Sequence, residues 1–377
     1  MRIIHLPTNV GGNPQGISRH LNALNIQSET WTFEQNYFAY KADKLVIKKN
    51  DRFILRNIKK FLCLRYVFFT DFVFFNFGSA VYDPYWVYDP DKMPRFKGFA
   101  YFIYSIYSRW MSRVEVGLLK LMRVKIFIQY QGDDARQGDV FSQFKINFTN
   151  QVDTDYYNKI SDEAKRKRIS YFCSRASKVY ALNPDLMHVL PSSAEFLPYS
   201  NISIDDWIPS YTQMIDRPLR IGHAPSHRGV KGTDLIIKEI DRLRAEGFAI
   251  DFVLIEGLSN AEAKAIYQDL DVVVDQLYAG WYGGLAVEAM ALGKPVISYI
   301  REEDLIFIPV DMRKDLPIIR VEPDSLYCEL KNLILMPRID LLNIAKKSRA
   351  YVERWHDPLK IAARIKRDME LTLGEAR

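Results

Sequence analysis

Between residues 219 and 299, short apolar runs alternate with helical patterns, and this alternation limits the possible fold more than any other feature of the chain. Strands are predicted at 219–224, 251–255, 272–277 and 295–299, separated by helices at 233–246, 261–270 and 285–292. Strands joined through helices run in one direction, so the segment reads as a parallel, doubly wound α/β sheet. A further strand is expected at 317–321, with helices filling 324–372.

The first half is more aromatic and less regular. Met1 to Pro7 read as a buried strand and lack the basic start, long apolar stretch and small-residue cleavage site of a secretory signal, so a cytoplasmic chain is expected. Dense apolar runs at 66–77 and 96–107 are expected to form buried strands and helices. A β-rich run at 126–130 stops at the polar loop Gln131-Gly132-Asp133-Asp134, and loops at the carboxyl ends of parallel strands are where such sheets bind ligands. Another strand is expected at 178–182, before the turn or helix start Asn183-Pro184-Asp185, and the first sheet ends near 195–199. Residues 200–217, rich in Ser, Asp, Pro and Tyr without helical period, are the linker candidate.

At 377 residues and 48% hydrophobic content, the chain is long enough for two packed domains, expected at 1–200 and 201–355, with a terminal helix at 356–377 after the break His356-Asp357-Pro358. Cys63, Cys173 and Cys328 lie far apart without a Cys-x-x-Cys pair, which argues against a disulfide framework or a structural zinc site. His5, His20, His188 and His356 lack metal-ligand spacing and read as structural. The net charge of +6 points to anionic partners without choosing among nucleic acid, anionic lipid and phosphorylated metabolites. No uninterrupted apolar run approaches the roughly 18 to 20 residues that span a bilayer.

Two segments of the second half carry chemistry. In AGWYGGLAVEAMALGKPVIS, Gly283 and Gly284 let the backbone approach a ligand, and the helix that follows at Leu285 offers N–H groups and a positive dipole end to a phosphate. Glu288, about one turn into that helix, suits two neighbouring ribose hydroxyls; a packed helix with a solvated Glu288 is the alternative. In HAPSHRGVKGT, Arg228 and Lys231 are three apart after a strand and can converge on one pyrophosphate, or form a solvated basic loop.

Taken in order, HAPSHRGVKGT and GWYGGLAVEAMALGKPVIS resemble the donor half of retaining glycosyltransferases of family four, with weaker support in QGDDAR and LNPDLMHVLPSSAEFLPY. The resemblance implies a GT-B fold: two Rossmann-like α/β domains with a donor/acceptor cleft between them and a C-terminal helix crossing back to the first. It implies sugar transfer from a UDP- or GDP-linked donor to a glycan or lipid-linked saccharide in cell-surface polysaccharide or glycolipid biosynthesis, with no metal, no cofactor and no nucleic acid. Arg228 and Lys231 would hold the diphosphate, Glu288 the ribose, and backbone amides at Gly283, Gly284 and Leu285 the phosphates or sugar. The glycine-rich loop Asn9 to Ser18, with Gly12, would approach the phosphates from the other domain, and Gln131 and Asp134 are candidate sugar or acceptor contacts, or structural loop residues.

Two positions depart from that family. Gly280 stands where many members carry a second glutamate, associated with the transferred sugar, and Gln131 where relatives often have a histidine. A nucleotide-sugar epimerase of the same fold, or a non-catalytic sugar-nucleotide-binding protein, are the alternatives. The stretch 95–125 combines Lys97, Arg109, Arg113, Lys120, Arg123 and Lys125 with Trp110 and many aromatic residues against Glu115. It reads either as a core helix with a solvated basic face or as a segment at an anionic membrane surface on the inner face of the cell membrane.

Overall fold

The computed structural model describes residues 1–8, 10–33, 40–48, 50–82, 95–152, 156–211 and 217–374, with the side chains of 95–98 and 101 excepted. Asn9 of the glycine-rich loop, residues 212–216 of the expected linker and the Lys97 side chain therefore lie outside the described residues. The chain divides into two compact units: Met1–Val140, Tyr157–Leu197 and Leu359–Arg377 form unit 1, and Phe141–Tyr156 with Pro198–Pro358 form unit 2.

Unit 1 is built on β1 (Arg2–Leu6), β2 (Gln27–Thr32), β3 (Lys44–Leu45), β4 (Phe72–Asn76), β5 (Lys125–Tyr130), β6 (Lys178–Ala181) and β7 (Glu195–Phe196), in the order β3-β2-β1-β4-β5-β6-β7. Every pairing is parallel. The strands are apolar on both faces because helices cover both. Ile4, Leu6, Val73, Phe75, Ile126 and Ile128 point to one side, where α2 (Phe53–Val67), α3 (Arg95–Leu121) and, after the short α4 (Gly138–Phe141), α5 (Lys159–Cys173) pack, through Leu64 and Val67 of α2, Leu119 of α3 and Phe172 of α5. Ile3, Phe72, Phe74, Phe127 and Tyr180 point to the other, against α1 (Asn13–Ala23) and α13 (Pro358–Gly374). Ile361, Ile365 and Met369 of α13 join Ile17 and Leu21 in that core, and the Tyr180 hydroxyl donates to Asp368 at 2.6 Å.

Unit 2 carries β8 (Leu219–His223), β9 (Ile250–Leu254), β10 (Val272–Val274), β11 (Val296–Ser298) and β12 (Ile319–Arg320), all parallel in the order β12-β11-β10-β8-β9. The crossovers are α6 (Arg228–Lys231) with α7 (Thr233–Ala245), α8 (Asn260–Gln268), α9 (Gly284–Ala291) and α10 (Val310–Asp315), followed by α11 (Leu326–Leu335) and α12 (Arg338–Trp355). Ile236, Ile240 and Leu243 of α7 and Leu326, Leu330 and Leu333 of α11 close one face over Leu219, Ile221, Val272, Val274 and Ile297. The spacing of four and three between the α7 residues is that of one helical stripe.

Two expectations fail in informative ways. The described part of 200–217 packs rather than links: Ile202 and Trp207 are buried, and Arg349 donates to the Trp207 carbonyl (2.5 Å) and the Ala291 carbonyl (2.7 Å). The apolar run at 96–107 is not buried throughout, since Phe99, Phe102, Ile103 and Ile106 are exposed on α3.

Candidate functional site

In unit 2 the chain runs from β8 to β9 on one side and from β10 to β12 on the other, so the order reverses between β8 and β10. Ligands of open parallel sheets bind outside the carboxyl ends of strands at such a switch point. The segments leaving these two strands are those that carry the sequence motifs. β8 leads to α6, and β10 leads through 275–283 into α9.

His223 closes β8. Its Nδ1 lies 2.8 Å from the Val274 carbonyl, which fixes Nδ1 as the protonated nitrogen and leaves Nε2 to accept from the Thr233 hydroxyl at 2.9 Å. Burial brings its pKa down to about 4, so the ring ties β8 to β10 as a neutral group. One residue beyond β10 stands Asp275, which the sequence reading did not single out. It is 0% exposed and accepts from Lys231 Nζ at 2.7 Å and from the Gly283 N–H at 2.5 Å. A carboxylate directly after a Val-Val-Val strand is the signal that would have found it, because a charge there is costly unless paired.

Lys231 is thus 9% exposed rather than standing free in solvent. The ion pair holds its ammonium at the start of α9: a Cβ on Gly283 would lie 3.1 Å from Nζ and 3.3 Å from Asp275 Oδ2, so any side chain there would press on the pair. Gly284 and Leu285, the first two residues of α9, are half-buried, and their N–H groups precede any carbonyl of their own helix. A cation, a helix start and two N–H groups converge there, which is the equipment for an anionic oxygen.

Arg228 does not join them. Its Nη1 is 2.9 Å from Glu256 and its Nη2 2.8 Å from Asp234, on a side chain 45% exposed, so its fork is engaged by two carboxylates at the surface. Those two hydrogen bonds raise its pKa. Glu288 is neither solvated nor open: it is 4% exposed, and its Oε1 accepts from the Nδ2 groups of Asn260 (2.8 Å) and Asn201 (3.2 Å). Asn201 also lies against the start of α9, with its Nδ2 3.5 Å from the Gly284 carbonyl. Asn201 and Asn260 are remote in sequence from Glu288, and nothing in the motif announces them.

The loop 275–283 is held at further points. Gln276 donates to the Trp281 carbonyl, and the Arg301 N–H donates to the Gly280 carbonyl at 2.8 Å. The Tyr282 hydroxyl lies 2.8 Å from both Tyr351 Oη and His356 Nε2, while His356 Nδ1 lies 2.9 Å from the Tyr199 carbonyl. His356 is buried, which lowers its pKa to about 4, in keeping with its structural reading.

The remaining candidates lie in unit 1, where the order reverses between β1 and β4. Gly12 is buried at the N-cap of α1, after β1. Gln131 and Asp134 follow β5. The Asp134 carboxylate accepts from the Gly132 N–H (2.6 Å) and the Gln131 N–H (3.1 Å), which makes it the tie of its own loop. Burial raises its pKa to about 6 against the pull of those N–H groups. Gln131 is different. Its Nε2 donates to Gln129 Oε1 at 3.3 Å, while its Oε1 is buried and meets no hydrogen-bond partner among the described residues. The same holds for Gln129 Nε2, Asn76 Oδ1 and both ring nitrogens of His5, whose burial brings its pKa to about 3. Strand parity puts these four side chains on one face near the carboxyl ends of β1, β4 and β5, forming a row of neutral donors and acceptors suited to hydroxyl groups.

No family model matches the chain, and no curated protein matches it. Solved structures do. Sucrose-phosphate synthase from Thermosynechococcus elongatus superposes with a TM-score of 0.62 at 13% identity, covering 100% of both chains. Anabaena HepE in complex with UDP and glucose gives 0.59 at 11% identity over 98% of this chain and 99% of the other. A glycosyltransferase from Rickettsia africae gives 0.56 at 13% over 99% and 98%. A putative UDP-N-acetylglucosamine 2-epimerase from Listeria monocytogenes gives 0.50 at 13% over 99% and 96%. At these identities the likeness concerns the fold, and the fold is that of GT-B proteins, with two Rossmann-like α/β domains.

Proposed function

We propose that the protein is a glycosyltransferase moving a sugar from a nucleoside diphosphate carrier to an acceptor hydroxyl, with retention at the anomeric carbon and without a divalent metal. One observation carries this reading. At the switch point of unit 2, Lys231 is fixed by Asp275 (2.7 Å) beside the first residues of α9, where the resemblance expects the donor diphosphate. In transfer, the bond from the anomeric carbon to the diphosphate oxygen breaks and its electron pair stays on the diphosphate. An oxygen of the acceptor bonds to that carbon, and the proton of the acceptor hydroxyl passes to an oxygen of the departing diphosphate.

The Lys231 ammonium and the N–H groups of Gly284 and Leu285 stabilise the charge that grows on the leaving oxygen. Arg228 would exchange Glu256 and Asp234 for the diphosphate, and Glu288 would accept from ribose hydroxyls in competition with the Asn260 amide. Gly12, at the start of α1, would serve as a phosphate contact, and Gln131, more than Asp134, would meet sugar or acceptor hydroxyls through its Oε1. UDP is the nucleotide in the HepE complexes and in the MnaA co-structure from S. aureus, which favours a UDP-linked donor over a GDP-linked one. Retention and a role in polysaccharide or glycolipid synthesis rest on the sequence resemblance.

The test is incubation of the purified chain with radiolabelled UDP- and GDP-sugars, with and without saccharide and lipid-linked saccharide acceptors. Label in a product that forms only when acceptor is present supports transfer. An epimeric sugar formed without acceptor would make the protein an epimerase, and binding without turnover a non-catalytic binder.

A further inference from the structure

α2 and α3 lie side by side on one face of unit 1. Phe53 meets Tyr104 with ring centroids 5.6 Å apart, and the Tyr107 hydroxyl donates to Asn57 Oδ1 at 3.1 Å. Each helix is apolar twice over. On α2, Cys63, Leu64 and Val67 enter the core, yet Ile54, Ile58, Phe61 and Leu62, spaced as a second stripe, face outward, with Ile54 73% exposed. On α3, Val116 and Leu119 enter the core, while Phe102, Ile106 and Trp110 face outward, Trp110 at 60%. A helix with apolar residues on both sides is expected where both sides are covered.

Among the described residues, the exposed charges that α2 and α3 themselves carry have one sign. Arg65 on α2 and Arg109, Arg113 and Lys120 on α3 are exposed. Phe53–Val67 contains no acidic residue, and the one acid in Arg95–Leu121, Glu115, is buried, accepting from the Val81 (2.9 Å) and Tyr82 (3.0 Å) N–H groups. Asp51, ahead of α2, is bonded to Lys59 at 2.5 Å. Among the described residues no helix is long and apolar enough to cross a membrane.

We infer that the outward faces of α2 and α3 form one docking surface for an anionic lipid bilayer. The apolar stripes enter the interface between headgroups and chains while the arginines and lysines pair with lipid phosphates. A second copy of the chain fits less well, because a self-complementary interface would set these cations against themselves. The inference does not depend on the transferase reading.

Flotation of the full-length protein tests it, with vesicles of phosphatidylglycerol mixed into phosphatidylcholine and vesicles of phosphatidylcholine alone, at low and high salt. Binding to the anionic vesicles that is released by salt is expected. Arg65→Gln, Arg109→Gln and Arg113→Gln together lower the partition coefficient about 10²-fold, near five-fold per charge, the factor equivalent to about 1 kcal/mol. Ile58→Ser with Phe61→Ser weakens binding at unchanged charge, and Arg244→Gln on unit 2 leaves it unaltered. Circular dichroism of each variant establishes that the fold is retained. Equal partitioning to both vesicle types, no binding to either, or wild-type binding by the Ile58→Ser, Phe61→Ser protein would overturn the inference. A dimer in light scattering that these variants dissolve, without vesicle binding, would assign the surface to a second copy.

Discussion

Lys231 and Asp275 join a structural and a functional demand in one contact, and the two can be separated by mutation. The Lys231 side chain is 11% exposed and that of Asp275 0%, with Nζ 2.7 Å from Oδ1. Lys231→Met leaves a buried carboxylate with the Gly283 N–H as its one remaining hydrogen-bond partner among the described residues, and breaking a buried pair in this way costs about 3 to 5 kcal/mol. At about 2 to 4 °C per kcal/mol for a domain of this size, the melting temperature of unit 2 should fall by about 6 to 20 °C. Adding Asp275→Asn removes the orphaned charge while keeping an acceptor for the Gly283 N–H, so the double variant should regain most of that loss. Its kcat/KM for transfer should nevertheless stay about 30-fold to 10³-fold below wild type, the equivalent of about 2 to 4 kcal/mol of lost leaving-group stabilisation. Arg228→Ala, at an exposed position, should leave the melting temperature unaltered and weaken diphosphate binding in a salt-dependent way. Calorimetry and initial rates on the three proteins measure all of this. An unchanged melting temperature in Lys231→Met would refute the burial argument, and wild-type turnover in the double variant would remove Lys231 from the reacting diphosphate.

Glu288→Gln replaces an acceptor of two buried amide bonds and should cost about 1.5 to 3 kcal/mol, seen both in melting and in nucleotide affinity by titration calorimetry; a drop in melting alone would make Glu288 purely structural. Acid should destabilise the protein. Burial brings His223 and His356 to about 4 and His5 to about 3 from 6.5, so below pH 6.5 the unfolded chain takes up protons that the folded one cannot. Stability is complete above pH 6.5 and lost as pH falls toward 4, by about 3 kcal/mol for each of the first two. Asp134, raised to about 6, returns part of this between pH 6 and 4, because there the folded state binds the extra proton. A melting temperature that stays flat or rises from pH 7 to 4.5 would contradict the neutral buried histidines.

The regular half of the fold was legible in the sequence because each element there carries its own period. The strands expected at 219–224, 251–255 and 295–299 correspond to β8, β9 and β11, and the helices at 233–246 and 285–292 to α7 and α9, within a few residues. The first half was legible only in part. An aromatic run says that a segment is apolar but not that it is covered, and α3 exposes Phe102, Ile106 and Trp110 despite the composition that suggested burial. Residues 200–217 misled for the opposite reason: polar composition suggested a linker, yet Arg349, far along the chain, holds their carbonyls.

The site was legible in its backbone and illegible in its pairings. Gly283, Gly284 and Leu285 stand where a turn into a helix predicts them, since local geometry fixes them. Partners from distant segments are not announced by the motifs: Asn260 for Glu288 and Glu256 for Arg228 left no local trace, and Asp275 for Lys231 shows only as a carboxylate placed directly after an apolar strand. Gly280 shows how much such a partner changes the meaning of a position. By sequence it is a missing glutamate. In the structure its φ is +78°, and an added Cβ would lie 2.9 Å from the Arg301 guanidinium, a side chain 1% exposed and bonded to Asp304 at 3.1 Å. A side chain at 280 is therefore opposed both by backbone strain and by the buried arginine, which would have to shift. Arg301 packs where a side chain from 280 would otherwise begin. Introducing glutamate there without changing Arg301 would disturb the loop that presents Gly283 to Lys231, so in the proposed transferase a contact with the transferred sugar would have to come from groups other than residue 280.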